Sequence, residues 1–487
     1  KQKTAYEIRL SLVGSEMCIR DSSCIYQLVN ICVPLVTTPY ISRVLGADGV
    51  GVYSYNYSVA QLFSIFILLG LNNYGNREVA SVRDDREKLS KTFWSIYCLQ
   101  LFLGIVVSSS YLLYCFKLAE DMIPALLLGM YVISSCFDVN WLYFGIEKFK
   151  FISIRNVLIK LVNALALFAF VKSSRDTLNY CLIMGIGFIV TQFSLWPYIL
   201  KNIKPVKIEM QDIVRHMKPN CILFITVIAV NIYKYMDKVM LGAMESYKEV
   251  GFYELSEKVI SIPTSLITAL GTVMLPRASY LAAKGDDKNN ALIGRSVIFA
   301  MLFSSSISFG LMAISKDFIP LFYGDGYDRC VALFIVLLPS SIFLAFANVI
   351  RTQYLLPHNM DKCYVFSATI GAFVNVVVNT LLIPRYGSVG AGIGTTLAEF
   401  SVCFYQTYSV RKNINVKKLI ENAIPYVISG MVMFGIVFSM KLKINVYAAI
   451  TIEIFVGVVT YFFALLLLLK VAKRNPKEMV SMFFEKR

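Results

Sequence analysis

The chain has 487 residues, of which 57% are hydrophobic and 16% charged, and its mean hydropathy is +0.63. Ordinary soluble domains carry about 25% charged residues, so this composition excludes one and points to a chain that crosses a membrane many times. The formal charge of +16 does not imply a nucleic-acid partner, because cations in polytopic proteins gather in cytoplasmic loops.

The first 22 residues, KQKTAYEIRLSLVGSEMCIRDS, lack the apolar segment and cleavage site of a signal peptide. They read as a non-native-looking stretch standing where a short basic cytoplasmic start is expected, and the fold is read from residue 23. From there, apolar runs predict an all-α protein of about fourteen transmembrane helices, most near the ~17–25 residues that a membrane helix needs. Spans 1 to 6 form an N-lobe over 23–200, and 201–216, basic and proline-containing, is a cytoplasmic linker. Spans 7 to 12 form a C-lobe over 217–411, and 412–487 holds two further spans and a basic tail.

An internal echo supports two pseudo-symmetric six-helix lobes. Residues 39–53 read PYISRVLGADGVGVY and residues 235–253 read YMDKVMLGAMESYKEVGFY. Gly51 recurs as Gly251, and Tyr53 as Tyr253. A duplicated half inside an apolar chain is the pattern of a transporter built from two bundles. Loop charges agree with the map. Lysine and arginine are about three times as frequent in connections after even-numbered spans as after odd ones, which predicts that both termini are cytoplasmic.

Several chemistries are excluded early. The loops are too short for a soluble catalytic domain, and no phosphate-binding glycine loop is present. The 11 cysteines are scattered without a C-x-x-C pair, and His216 and His358 are the only histidines. No metal site, no cofactor and no enzymatic activity are expected.

Ionisable residues at membrane depth cost roughly 2.5–3.5 kcal/mol each on insertion scales, and so mark function by default. Span 7 carries Lys234, Asp237 and Lys238 on one helical face, and span 8 begins with Glu254, Glu257 and Lys258. Asp237 either neutralises a lysine or exchanges an ion. Arg43 ends span 1 at the position equivalent to Lys238, as an interfacial anchor or a substrate ligand. Lys160, in the middle of span 5, should face a wet cavity. Asp138 in span 4 is either a proton site or the partner of a cation such as Lys160. Glu399 and Glu453 read as helix-end or packing residues. Prolines 34, 39, 197, 263, 339 and 425 are ordinary membrane-helix prolines or bending points.

At PYISRVLG, GVGVYSY and GLNNYGNREVA (70–80), the chain resembles the bacterial polysaccharide flippases. Further matches are DVNWLYFGIEKFKFISIRN (138–156), DKVMLG with VGFYELSEKV (237–259), LPRAS (275–279), TQYLLPHN (352–359) and IPRYGSVGAGIGTTLAEF (383–400). These proteins form the polysaccharide-transporter branch of a superfamily that also holds multidrug antiporters and the peptidoglycan-precursor flippase. The resemblance implies a multi-pass protein of the bacterial cytoplasmic (inner) membrane. It implies two six-helix lobes around a cationic cavity, with alternating access driven by protons or sodium. The cargo it implies is an undecaprenyl-diphosphate-linked oligosaccharide repeat unit such as O-antigen, with a polysaccharide polymerase as a possible neighbour in the pathway.

On that reading Arg43, Lys160, Lys234 and Lys238 attract the diphosphate and any sugar carboxylates. Asp138 or Asp237 handles the coupling ion, and the polyprenyl tail stays in lipid between spans 1 and 8. The alternatives are a proton- or sodium-coupled multidrug antiporter and a membrane-embedded glycosyltransferase or polymerase. Span 1 lacks the acid that drug antiporters resemble one another in placing there, and the outer loops are too short for the enzyme.

Overall fold

The computed structural model describes residues 5–283, 288–442 and 444–471. Among them the chain is helical and contains no strand. The helices run in order as α1 (Ala5–Leu68), α2 (Leu71–Val82), α3 (Arg86–Lys117), α4 (Met122–Cys136), α5 (Asn140–Gly145), α6 (Phe149–Phe170), α7 (Thr177–Phe193) and α8 (Trp196–Asn202). They continue as α9 (Met210–Met244), α10 (Tyr247–Ala283), α11 (Lys288–Ala313), α12 (Ser315–Tyr323), α13 (Asp328–Ile350), α14 (Asp361–Tyr386), α15 (Ser388–Ser409), α16 (Val416–Phe438) and α17 (Val446–Val471).

Helix α1 includes most of the stretch set aside on sequence, and it is broken at Gly46, whose φ of 71° is left-handed. That conformation suits glycine, which has no Cβ to clash. The first echo motif therefore bends at its glycine. At the start of α3, Asp85 accepts hydrogen bonds from the backbone N–H groups of Lys88 and Glu87, both at 3.1 Å. Those bonds, Lys88 foremost, hold the exposed Asp85 carboxyl below the usual carboxylate range.

Ten helical stretches among the described residues are long and apolar enough to cross a membrane, where the sequence predicts about fourteen spans. Two expected spans fall in one continuous stretch, Cys32–Val82. Helices α9, α10 and α15, with 35, 37 and 22 residues, are long enough but are not among the ten. Lys234, Asp237 and Lys238 lie towards the end of α9, and Glu254 and Glu257 near the start of α10. In α15 the length is there and the apolarity is not.

By internal contacts the chain forms two compact units, one ending at Tyr235 and the other beginning at Met236, within α9. The expected boundary lay at 201–216. Much of that stretch is tied to α3: Trp94 Nε1 donates to Lys204 O at 2.9 Å, and the Lys91 ammonium lies 2.9 Å from the Asp212 carboxylate. The start of α9 is likewise pinned to α2. Tyr74 OH bonds His216 Nδ1 at 2.6 Å, and Gly70 N donates to Asn220 Oδ1 at 2.9 Å.

In the first unit the core gathers α2, α3, α5 and α8. Trp141 is fully buried, stacks near Phe93 and donates to Gln100 Oε1 at 3.2 Å. Gly75 lies so close to the Trp141 ring that a Cβ there would meet it at 2.9 Å. Tyr143 OH donates to Leu195 O at 2.6 Å. The segments GLNNYGNREVA and DVNWLYFG thus pack on one another.

In the second unit, α13 is buried between α10, α11 and α15. Tyr323 OH donates to Leu255 O at 2.7 Å. Glu249 of α10 accepts from the Ser388 backbone N–H at 2.6 Å at the start of α15. A carboxylate there satisfies an otherwise unpaired amide and complements the helix dipole.

Candidate functional site

Two asparagines four residues apart on apolar α14, Asn375 and Asn379, share one face and are both fully buried. They turn towards Asp237 of α9, itself only 3% exposed. Asp237 Oδ1 accepts from Asn375 Nδ2 at 2.8 Å and Asn379 Nδ2 at 2.6 Å. Its other oxygen accepts from Tyr253 OH at 2.6 Å and Thr395 Oγ1 at 2.7 Å. Four helices, α9, α10, α14 and α15, therefore converge on one carboxylate.

Every donor in this set is neutral. Hydrogen bonds of this kind stabilise a buried carboxylate, yet one oxygen is left over. Asn379 Oδ1 is buried with no hydrogen-bond partner, a costly state for an amide. Turning that amide over would aim its oxygen at Asp237. A bare carboxylate repels such an arrangement, whereas a small hard cation among oxygens holds it. The set gathers one carboxylate, two amides and two hydroxyls.

Gly394 makes the room. A Cβ at that position would run into Asn379 Oδ1, so Gly394→Ala should push Asn379 off the carboxylate. We expect about 1–3 kcal/mol of destabilisation from overpacking, read by thermal unfolding in detergent. Unchanged stability would show that Asn379 moves aside without cost.

Lys238, the next residue, points elsewhere. Its ammonium lies 2.7 Å from both Glu254 and Glu257 of α10, and Lys258 lies 3.3 Å from Glu254. Lys238 is only 8% exposed. Asp237 takes neither Lys234 nor Lys238 as its partner. Lys234 is exposed, its ammonium 5.4 Å from the Tyr235 ring centroid.

The other sequence candidates belong to the first unit. Asp138 Oδ1 accepts from the backbone and side-chain nitrogens of Asn140, at 2.9 and 2.7 Å. Arg155, 7% exposed, donates to Asn140 Oδ1 at 3.2 Å, to Thr191 O at 3.0 Å and to Asn156 Oδ1 at 2.7 Å. Asp138 is thus linked through Asn140 to Arg155. Arg43 is exposed just before the Gly46 break, and Lys160 is half-buried on α6. Helices α1 and α6 pack together.

Sequence reading named Asp237 and Lys238, knew Tyr253 only as the echo of Tyr53, and passed over Asn375, Asn379 and Thr395. The signal was there: two asparagines at i, i+4 in an apolar helix obey the same cost rule as charges, at smaller magnitude. Among the described residues no group of three or more His, Cys, Asp or Glu could hold a metal ion.

The family model "Polysaccharide biosynthesis protein" matches residues 22–282. A curated relative from Escherichia coli (strain K12), named "Putative O-antigen transporter", is 21% identical over 389 residues, 79% of this chain and 94% of the relative. Among solved structures, the lipid II flippase MurJ in an inward closed conformation aligns at a TM-score of 0.67 and 14% identity. That alignment covers 94% of this chain and 100% of the other. An inward-facing multidrug resistance MATE family transporter of the MOP superfamily aligns at 0.52 and 12% identity, over 81% and 99%. Both likenesses are likenesses of fold.

Proposed function

Because the chain belongs to the polysaccharide biosynthesis protein family, we propose that it is a flippase moving undecaprenyl-diphosphate-linked oligosaccharide repeat units across the cytoplasmic membrane. Transport runs by ion-coupled alternating access. The observation that carries the coupling is the Asp237 cluster: a buried carboxylate, hydrogen-bond donors from three other helices and an orphaned amide oxygen. Cation entry satisfies Asn379 Oδ1 and changes how α14 and α15 are held against α9 and α10. Sodium is the coupling ion that this oxygen set suits best.

The cargo's diphosphate is met by cations. Arg43, Lys160 and Lys234 are the candidates, and phosphate oxygens pair strongly with such groups. Lys238 serves differently. With both glutamates already on it, it orders α9 against α10 beside the ion site. Asp138, held by Asn140 in the Arg155 network, positions the first unit's helices. Both termini lie on the cytoplasmic side, as the loop charges indicate.

The test of cargo recognition is charge reversal. Lys160→Glu and Lys234→Glu, assayed in liposomes with a lipid-diphosphate oligosaccharide, should each slow translocation by roughly tenfold, about 1.4 kcal/mol. Full activity in the double variant would remove these lysines from the cargo path.

A further inference from the structure

Helices α15 and α16 follow one another in the chain but part company in space. Helix α15 packs on α13 and α14, and α16 on α11 and α17. Between them a groove of about 500 Å³ opens, floored by α11 and α13. Its walls are apolar stripes at four-residue spacing: Val416, Ile420, Ile424 and Ile428 on α16, and Phe400, Phe404 and Tyr408 on α15. Phe404 is 62% and Ile424 45% exposed.

One end differs from the rest. Arg411 lies just past α15, with its guanidinium carbon 3.3 Å from the Tyr408 ring centroid and one nitrogen donating to Tyr408 O at 2.9 Å. Arg411 is exposed and lines the groove. Lys412, Lys417 and Lys418 are exposed around the same end. From Val416 to Ile428 the groove wall runs twelve residues, about 18 Å at 1.5 Å per residue. One leaflet of a ~30 Å hydrocarbon core is about 15 Å deep. The groove is therefore about one leaflet long, apolar along its length and cationic at one end.

We infer that this groove is a binding site for one anionic phospholipid of the cytoplasmic leaflet. An acyl chain lies between α15 and α16 and the phosphate is on Arg411. A free phosphate would leave the apolar walls unfilled, and a neutral lipid would leave the four cations unmatched. The occupant is a resident lipid that fills the gap between the appended α16–α17 pair and the rest of its unit, and it is separate from the transported lipid.

Native mass spectrometry of the full-length protein, delipidated and then offered single lipids, tests this. Phosphatidylglycerol should be retained about tenfold better than phosphatidylcholine, and Arg411→Glu should abolish that preference. Ala423→Phe, which narrows the groove from its lining, should lower retention of both lipids while the thermal transition shows the fold intact. Equal retention of the two lipids by the unmodified protein would overturn the site, as would a preference that survives Arg411→Glu. So would displacement of phosphatidylglycerol by undecaprenyl phosphate at equal concentration, which would make the groove part of the cargo path. Retention unaffected by Ala423→Phe would place the lipid elsewhere.

Discussion

Asp237→Asn should eliminate gradient-driven translocation and leave a folded protein. The substitution keeps the shape of the side chain but removes its charge, and it presents an amide nitrogen to donors that already converge on that point. Two of the four donors, those on the oxygen that becomes the amide nitrogen, then lose an acceptor that each reached within 2.8 Å. Coupling free energies between sites are typically 1–3 kcal/mol, so cargo movement should lose the roughly 5–150-fold stimulation that the ion provides. Flip rates in liposomes with and without an imposed sodium gradient measure this directly. A variant that still responds fully to the gradient would move the coupling site away from Asp237.

The largest loss of stability should follow Lys238→Met. Two carboxylates lie 2.7 Å from its ammonium, and the side chains of Lys238 and Glu254 are only 10% and 12% exposed. Removing one member of a buried ionic cluster leaves uncompensated charge, at a cost of about 3–5 kcal/mol. Lys258, 3.3 Å from Glu254, offsets part of that and places the expectation near the lower end. Thermal unfolding of the purified protein reads the loss. Adding Glu254→Gln to Lys238→Met should recover much of it, because the remaining pair is again balanced. If the double variant were no more stable than the single one, the damage would be packing and not charge.

Composition alone made the membrane class legible, since so few charged residues leave no other way to arrange 487 residues. Helical positions followed from the apolar runs. Helices α9 and α10 were harder to delimit because the residues that matter in them are those that break apolarity. Asp237 and Lys238 were visible as charges at depth. Their partners were not, because periodicity within one helix says nothing of which helix lies opposite. Neighbours on one face in sequence, the two turned out to serve different networks. Asn375 and Asn379 were overlooked because asparagine in an apolar run is cheaper than a charge and drew no notice.

The segments that carried the family resemblance have a second lesson. Tyr74, Gly75, Trp141 and Tyr143 stand out in sequence as motif residues, and in the fold they form the packed core of the first unit. Aromatic motifs in an apolar chain can mark where helices meet. The second unit's motif differs: Tyr253 and Thr395, both in matched segments, reach the Asp237 carboxylate itself.

The most direct measurement is translocation of a lipid-diphosphate oligosaccharide by the purified protein in liposomes under an imposed sodium gradient. A proton gradient and no gradient serve as parallel conditions. Movement that depends on the sodium gradient, and disappears in Asp237→Asn, is the predicted result. Absence of movement under every gradient, with efflux of cationic drugs in its place, would contradict the account and make the chain a drug antiporter.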